Sequence, residues 1–306
     1  MRVAHLPGRL GAVRREHLLG LLYLNIATLL WGTTFVVIKQ SLESLSASQI
    51  TLARFAVAAL CFVPFVLRLE RKVWLAGLEL GFYLWLGYAT QAVGLERTTA
   101  SRSAFITTLY VVILPIFLGL IGHKLRLPVW AAALMAIVGV GLLSYDGSPP
   151  NVGDLWTLGT ALAYTFYIWR LEHFVAVRSY PTLPITGVQM FGVALLSGVW
   201  VAWERPAWNW TTLPYAEMLY LGFIATAICV WLQALGQRTV PAPEAAIAFT
   251  LEPVYAAIFA YFLLGERLGV QGLAGGALIV GATLVSQLPQ LLRPRRELDR
   301  KRGERV

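Results

Sequence analysis

The chain has 306 residues, 58% of them hydrophobic and only 13% charged, with a mean hydropathy of +0.66 and a formal net charge of +9. Soluble globular chains carry about 25% charged residues, so this composition excludes an ordinary soluble domain. Repeated apolar runs of about 20 residues point to a polytopic helical membrane protein and not to the short alternating strands of a β-barrel.

Ten spans follow in chain order. A basic tail, residues 1–17, precedes span 1 at 18–40, which is too long for a signal-peptide core and is expected to stay as a retained helix. Spans 48–69, 73–94, 98–121 and 127–145 complete a first five-helix unit, residues 18–146, with Pro128 opening the fifth. Asp146 to Asn151 reads as a linker. Spans 153–175, 181–203, 213–236, 243–264 and 269–290 form a second unit, residues 153–290, and a basic tail occupies 291–306. Pro241 and Pro243 mark the joint before the ninth span.

Ten spans put both termini on one side, which then holds 19 Lys and Arg against 5 on the other, with Arg54 inside a span. That bias places both termini in the cytoplasm. The basic residues sit in loops and tails, not on one helix face, so no nucleic-acid partner is indicated. Cys61 and Cys229 both fall inside spans with no CxxC pairing and read as packing residues.

The ninth span is the unusual one. Glu252 and Pro253 stand near its middle, where a carboxylate is costly and a proline kinks the helix beside it. At ~1.5 Å per residue Glu252 lies ~14 Å deep, and Arg54, entering from the other face, lies about 9 Å deep. The two are therefore expected to interact across a cavity or through a partner. Glu252 reads either as a proton, substrate or gate residue or as a capped structural acid. Glu79, in Gly77-Leu78-Glu79-Leu80-Gly81, reads as a proton-path or gating acid or as one snorkelling to the cytoplasm, on a helix whose glycine spacing predicts close packing.

Mid-span polar and aromatic residues suggest a cavity lining: Trp31 and Thr34 in span 1, Tyr88 and Gln91 in span 3 with Trp85 one step back, Tyr110 in span 4, Tyr164 and Tyr167 in span 6, and Gln233 in span 8. Taken singly, each also reads as a packing residue. Trp200, Trp203, Trp208 and Trp210 read as an interfacial belt. Gly139, Gly141, Gly272, Gly276 and Gly281 read as close-packing positions, or more weakly as a dimer seam.

The halves repeat weakly. Arg97-Thr98 matches Arg238-Thr239, and Gly122-His123-Lys124-Leu125 matches Gly265-Glu266-Arg267-Leu268, with an offset drifting from 141 to 143 residues. Five spans is an odd number, so the second copy enters the membrane inverted, as in many secondary transporters. Several motifs resemble the EamA-type family of the drug/metabolite transporter superfamily. In the first half they are Leu30-Trp31-Gly32-Thr33-Thr34-Phe35, Leu52-Ala53-Arg54-Phe55, Gln91-Ala92-Val93-Gly94-Leu95, Thr98-Thr99-Ala100-Ser101 and Phe105-Ile106-Thr107. In the second half they are Gly153-Asp154-Leu155, Leu251-Glu252-Pro253 and Leu264-Gly265-Glu266. The resemblance covers roughly residues 18–288. It implies ten helices in two inverted halves around a central cavity, working by alternating access. The first half departs from the pattern: Tyr110-Val111 stands where an acid-proline pair might recur, with proline only at Pro115, and His123 replaces a glutamate.

His5, His17, His123 and His173 are scattered, and Glu172, Arg170 and His173 read as a solvated cluster, so neither a metal site nor a cofactor is expected. No nucleotide-binding or nucleophile motif is present in the sequence. The expectation is a secondary transporter, not an enzyme, in a bacterial inner membrane. Its expected activity is export of small organic metabolites such as amino acids or drugs, as a monomer or weak homodimer. The substrate is expected among Trp31, Thr34, Tyr88, Gln91, Tyr110, Tyr164, Gln233 and Glu252, with Arg54, Glu79, Glu252 and Pro253 as coupling or gating residues. Proton coupling and uncoupled facilitation both stay open. So do a sugar-phosphate or nucleotide-sugar exchanger, which would want more embedded cations than Arg54, and an intramembrane enzyme.

Overall fold

In the computed structural model every regular element among the described residues is helical. The described residues are 8–98, 100–144, 149–208, 213–255, 258–259 and 269–291. The first half holds α1 (Gly8–Trp31), α2 (Thr34–Ser41), α3 (Ala47–Val66), α4 (Arg71–Arg97), α5 (Ala100–Thr108), α6 (Tyr110–Leu120) and α7 (Leu127–Ser144). The second holds α8 (Val152–Glu172), α9 (Thr182–Glu204), α10 (Tyr215–Leu219), α11 (Cys229–Gln237), α12 (Ala242–Phe249) and α13 (Val270–Leu291). A wider π-type turn extends α8 over His173–Val177, and another joins α10 to α11 over Tyr220–Ile228.

Reciprocal caps fix two of the helix starts. Ser46 accepts from the Gln49 amide while the Gln49 side chain accepts from the Ser46 amide, at 3.3 and 2.9 Å, which opens α3. Asn151 and Asp154 do the same for α8, and Asp154 also accepts from Thr98 Oγ1 at 3.1 Å. The motif at Gly153-Asp154-Leu155 thus ties the start of α8 to the end of α4.

Helix lies within each of the ten drawn spans, yet three of them are broken midway. Span 1 breaks at Gly32–Thr33, where Thr33 N bonds Leu30 O three residues back. Span 4 breaks at Leu109, with the same tightened bond to Ile106. Span 9 breaks at Thr250–Leu251, whose amides bond Ile247 and Ala248 at 3.1 and 3.2 Å, and helix resumes at Glu252. The expected kink beside Pro253 is therefore a full interruption just before the acid. Tyr110 and Glu252 each stand first after a break.

Among the described residues four stretches are long and apolar enough to cross a membrane: Ala47–Val66, Ser103–Leu120, Thr182–Glu204 and Tyr215–Gln237. Leu127–Leu142 and Val270–Ser286 are shorter apolar helices. Helices α4 and α8 are long enough but carry many tyrosine, glycine and hydroxyl residues.

The closest packing joins the first half of the chain to the second. Helix α4 lies against α8 and α9, α3 against α9 and the Tyr220–Ile228 turn, α1 against α11, and α7 against α13. Small residues let the backbones meet. A Cβ on Gly77 would come 2.5 Å from Val188 Cβ, and one on Gly81 would come 3.1 Å from Gln189 O. The Gly77-xxx-Gly81 spacing thus does mark a close helix contact. A Cβ on Gly153 would lie 2.8 Å from Gly94 O, and one on Gly236 at the same distance from Gly20 O. Gly139 abuts Gly275 O and Ile279, Gly141 touches Phe105 and Gly281 touches Met135, but Gly276 faces open space. Gly276 is therefore not a packing position within this chain, whereas Gly275 is.

Several sequence-level readings lie outside the described residues. They are Arg2, His5, Thr99, Asp146 to Ser148, Trp210, residues 260–268 with Leu264, Gly265, Glu266 and Arg267, and the tail from 292. The side chains of Arg9, Arg14, Phe35, Lys39, Ala100, Ser101 and Arg102 lie outside them too.

Candidate functional site

The broken and widened helices face one cavity of about 50 Å³. Its wall takes residues from both halves, and it brings together Trp31, Thr34, Arg54, Tyr88, Gln91, Tyr110, Tyr164, Gln233 and Glu252. Leu84, Thr107, Tyr167, Ile168 and Phe249 complete the lining. Irregular backbone is tolerated at membrane depth where it lines such a space.

Trp31 closes α1 and sets the first wall. Its Nε1 donates to Ala225 O at 2.9 Å, and its ring meets Phe249 edge-on, centroids 5.6 Å apart. Thr34 begins α2 and donates to Trp31 O at 2.9 Å, so one side chain bridges the helix break.

Arg54 comes from α3 and is only 2% exposed. Its Nε donates to Thr226 Oγ1, its Nη2 donates to Ala225 O at 3.1 Å, and its guanidinium lies 4.5 Å from the centre of the Tyr88 ring. Ala225 O therefore accepts from both Trp31 and Arg54. It sits in the widened Tyr220–Ile228 turn, a backbone form often found at functional sites.

Tyr88 packs edge-on against Phe55 and Tyr164, at 4.9 and 5.9 Å between centroids. Tyr164 fits because residue 87 is glycine: a Cβ there would overlap the Tyr164 ring. Tyr167 donates to Gln189 Oε1 at 2.8 Å. Gln233 donates to Gln237 Oε1 at 3.1 Å, and Gln237 in turn donates to Ile168 O at 2.9 Å.

Glu252 and Arg54 face this one cavity, but no ion pair within 4.0 Å joins them among the described residues. The two therefore face each other across the cavity, while the direct contacts of Arg54 are neutral groups of the Tyr220–Ile228 turn. Pro253 is buried behind Glu252.

Glu79 is not at the cavity. It receives Arg170 of α8 bidentately, with Nη2 to Oε2 at 3.0 Å, and Arg170 also lies over Phe174 and Trp169, at 4.5 and 5.5 Å. Glu172 Oε2 accepts from Ala242 N at 2.9 Å, at the start of α12. Arg170 and Glu172 therefore hold helices together and do not form the solvated cluster expected with His173, whose ring lies beside Phe174 and near Arg178. Glu244 does sit in the first turn of α12, 3.7 Å from His17.

Trp85 points away from the cavity, into an outer groove with Trp156, Trp200 and Trp203. A three-residue step turns a helix 60° short of a full circle, so two steps carry residue 85 about 120° off the face of Gln91. Phe249 and the Ala225–Thr226 anchor escaped the sequence reading, and Thr107 entered it only as part of a motif. Phe249 stands three residues before Glu252 on the same face, a signal that was present. Thr226 lies in an apolar run with nothing to mark it.

The sequence pattern of the EamA-like transporter family matches twice, over residues 18–145 and 151–287. An uncharacterized transporter of Archaeoglobus fulgidus is 32% identical over 291 residues, covering 94% of this chain and 92% of the relative. A probable biotin transporter of Pseudomonas aeruginosa is 26% identical over 280 residues, covering 87% of this chain and 97% of that protein. One solved crystal structure superposes with a TM-score of 0.73 at 19% identity, covering 90% of this chain and 99% of its own, so it shares the fold. With two copies of the family pattern meeting at one cavity, the chain belongs to the EamA-like transporter family of the drug/metabolite transporter superfamily.

Proposed function

We propose that this transporter is a secondary exporter of small organic metabolites that works by alternating access, with two inverted five-helix repeats spanning a bacterial inner membrane ten times and both termini cytoplasmic. The observation that carries this reading is the cavity itself, an aromatic and polar chamber walled by both halves at their helix breaks. The excess of basic residues on one side supports the orientation. The matched breaks before Tyr110 and Glu252, 142 residues apart, support the repeat. A phosphorylated or nucleotide-sugar cargo fits less well, since the described lining has Arg54 as its one basic side chain.

Flux measured in proteoliposomes across a panel of amino acids, biotin and other metabolites tests the reading. We expect net movement of at least one solute. A folded protein that moves none would sink it. Repeating the assay with and without a pH gradient separates proton coupling through Glu252 from uncoupled facilitation.

In this scheme Glu79 and Arg170 latch α4 to α8 at the cytoplasmic end. Both side chains are partly exposed, so the pair contributes little to stability and acts on the closed state. Glu79→Arg or Arg170→Glu alone is expected to lower flux about threefold to tenfold, and the double exchange to restore at least half of it. Additive losses in the double variant would remove the latch from the scheme.

A further inference from the structure

We propose that the cavity recognises solutes bearing a carboxylate, read by the Arg54 guanidinium, together with a hydrogen-bond donor directed at Glu252. This rests on the transport reading above and names the chemistry of its cargo.

Arg54 offers five N–H donors in a planar fork that matches a carboxylate. It is 2% exposed, and its Nε and Nη2 meet a hydroxyl and a carbonyl, both neutral. The Tyr88 ring covers one face. No carboxylate of the described residues lies within 4.0 Å of it, and Nη1 has no protein partner among them. A buried guanidinium whose direct contacts are all neutral, with Glu252 only across the cavity, favours an anion placed beside it. Thr226 and Ala225 O hold the fork in place, and they act as positioning residues. Among the residues of the chain, the arginine side chain is the one best suited to bidentate recognition of a planar carboxylate.

Glu252 lines the same cavity with no hydrogen bond or ion pair to a described residue. It supplies an acceptor for an ammonium or amide N–H. When ionised it also disfavours a second negative charge, which argues for a monoanionic carboxylate over a phosphate dianion. The rings of Trp31, Tyr88, Tyr110 and Tyr164 receive an apolar body between the two ends.

Paired probes test this with the full chain in proteoliposomes: biotin against biotin methyl ester, and L-phenylalanine against L-phenylalaninamide, with glucose 6-phosphate as the dianion. In the wild type, at least one acid is expected to be carried about tenfold or more better than its neutralised partner. That ratio is expected to fall to about one in Arg54→Gln, to recover in part in Arg54→Lys, and to drop in Thr226→Val, which keeps the charge but removes an anchor. A merely structural arginine would lower flux of acid and ester alike and leave the ratio unchanged. Equal carriage of acid and ester in the wild type, a ratio that survives in Arg54→Gln, or preference for glucose 6-phosphate would each overturn the proposal. If Arg54→Gln does not fold, an unchanged ratio in both Arg54→Lys and Thr226→Val overturns it equally. Flux confined to solutes without a carboxylate leaves the transport reading standing and removes this one, whereas no flux of any solute removes both.

Discussion

Glu252→Gln is expected to cut flux about thirtyfold or more while the protein melts no lower than the wild type. Glutamine keeps the shape of the side chain and removes its ionisable carboxyl. The carboxylate lies beside the break at Thr250–Leu251, on the cavity wall, with no described hydrogen-bond or ion-pair partner to stabilise it. A carboxyl held at that depth without such a partner costs stability, so losing it does not weaken the fold. Losing a buried charged group that a ligand engages typically costs 2–5 kcal/mol in recognition, about thirtyfold or more. Flux and thermal melting measured on the same preparation check both halves of the expectation. Wild-type flux would remove Glu252 from the transport path. A melting point many degrees lower would make it a structural latch.

The second large effect is expected at a residue with no side chain. Gly87→Ala is expected to lower flux at least about tenfold, because the new methyl overlaps the Tyr164 ring and drives it into the cavity. Inserting a methyl into such a packed contact costs about 1–3 kcal/mol, so a modest fall in melting temperature accompanies the loss. Pairing it with Tyr164→Leu, which removes the obstructing ring, should restore part of the flux and make the two changes strongly non-additive. Strict additivity would show that Gly87 acts by some route other than Tyr164. The same test distinguishes a blocked cavity from general misfolding, since misfolding is not repaired by trimming a neighbour.

Much of this site was legible because membrane depth makes polar residues conspicuous. Trp31, Thr34, Tyr88, Gln91, Tyr110, Tyr164, Gln233 and Glu252 stand out against apolar runs, and the fold gathers them around one space. Gly77 and Gly81 were legible because a four-residue spacing puts both on one helix face. What failed did so for geometric reasons. Trp85 shares a spacing with Tyr88 but lies two such steps from Gln91 and so off its face. The partner of Glu79 lies 91 residues away on α8, and nothing local to either residue announces the pairing. The anchor of Arg54 is a backbone carbonyl presented by a widened turn, and a sequence carries no letter for a carbonyl. The helix breaks were half legible: Pro253 forecast one, whereas those at Gly32 and Leu109 follow from local hydrogen bonding.

The packing of one half against the other also bears on how the protein is made. As the chain leaves the ribosome, α3 and α4 enter the bilayer before the helices that will cover them exist. The faces around Gly77, Gly81 and Gly94 are shaped for α8 and α9, whose residues begin at Val152. Until those are synthesised, the close contacts of Gly77, Gly81 and Gly94 have no protein partner to form with. One family pattern matches the chain twice, yet the two matched segments complete each other's surfaces.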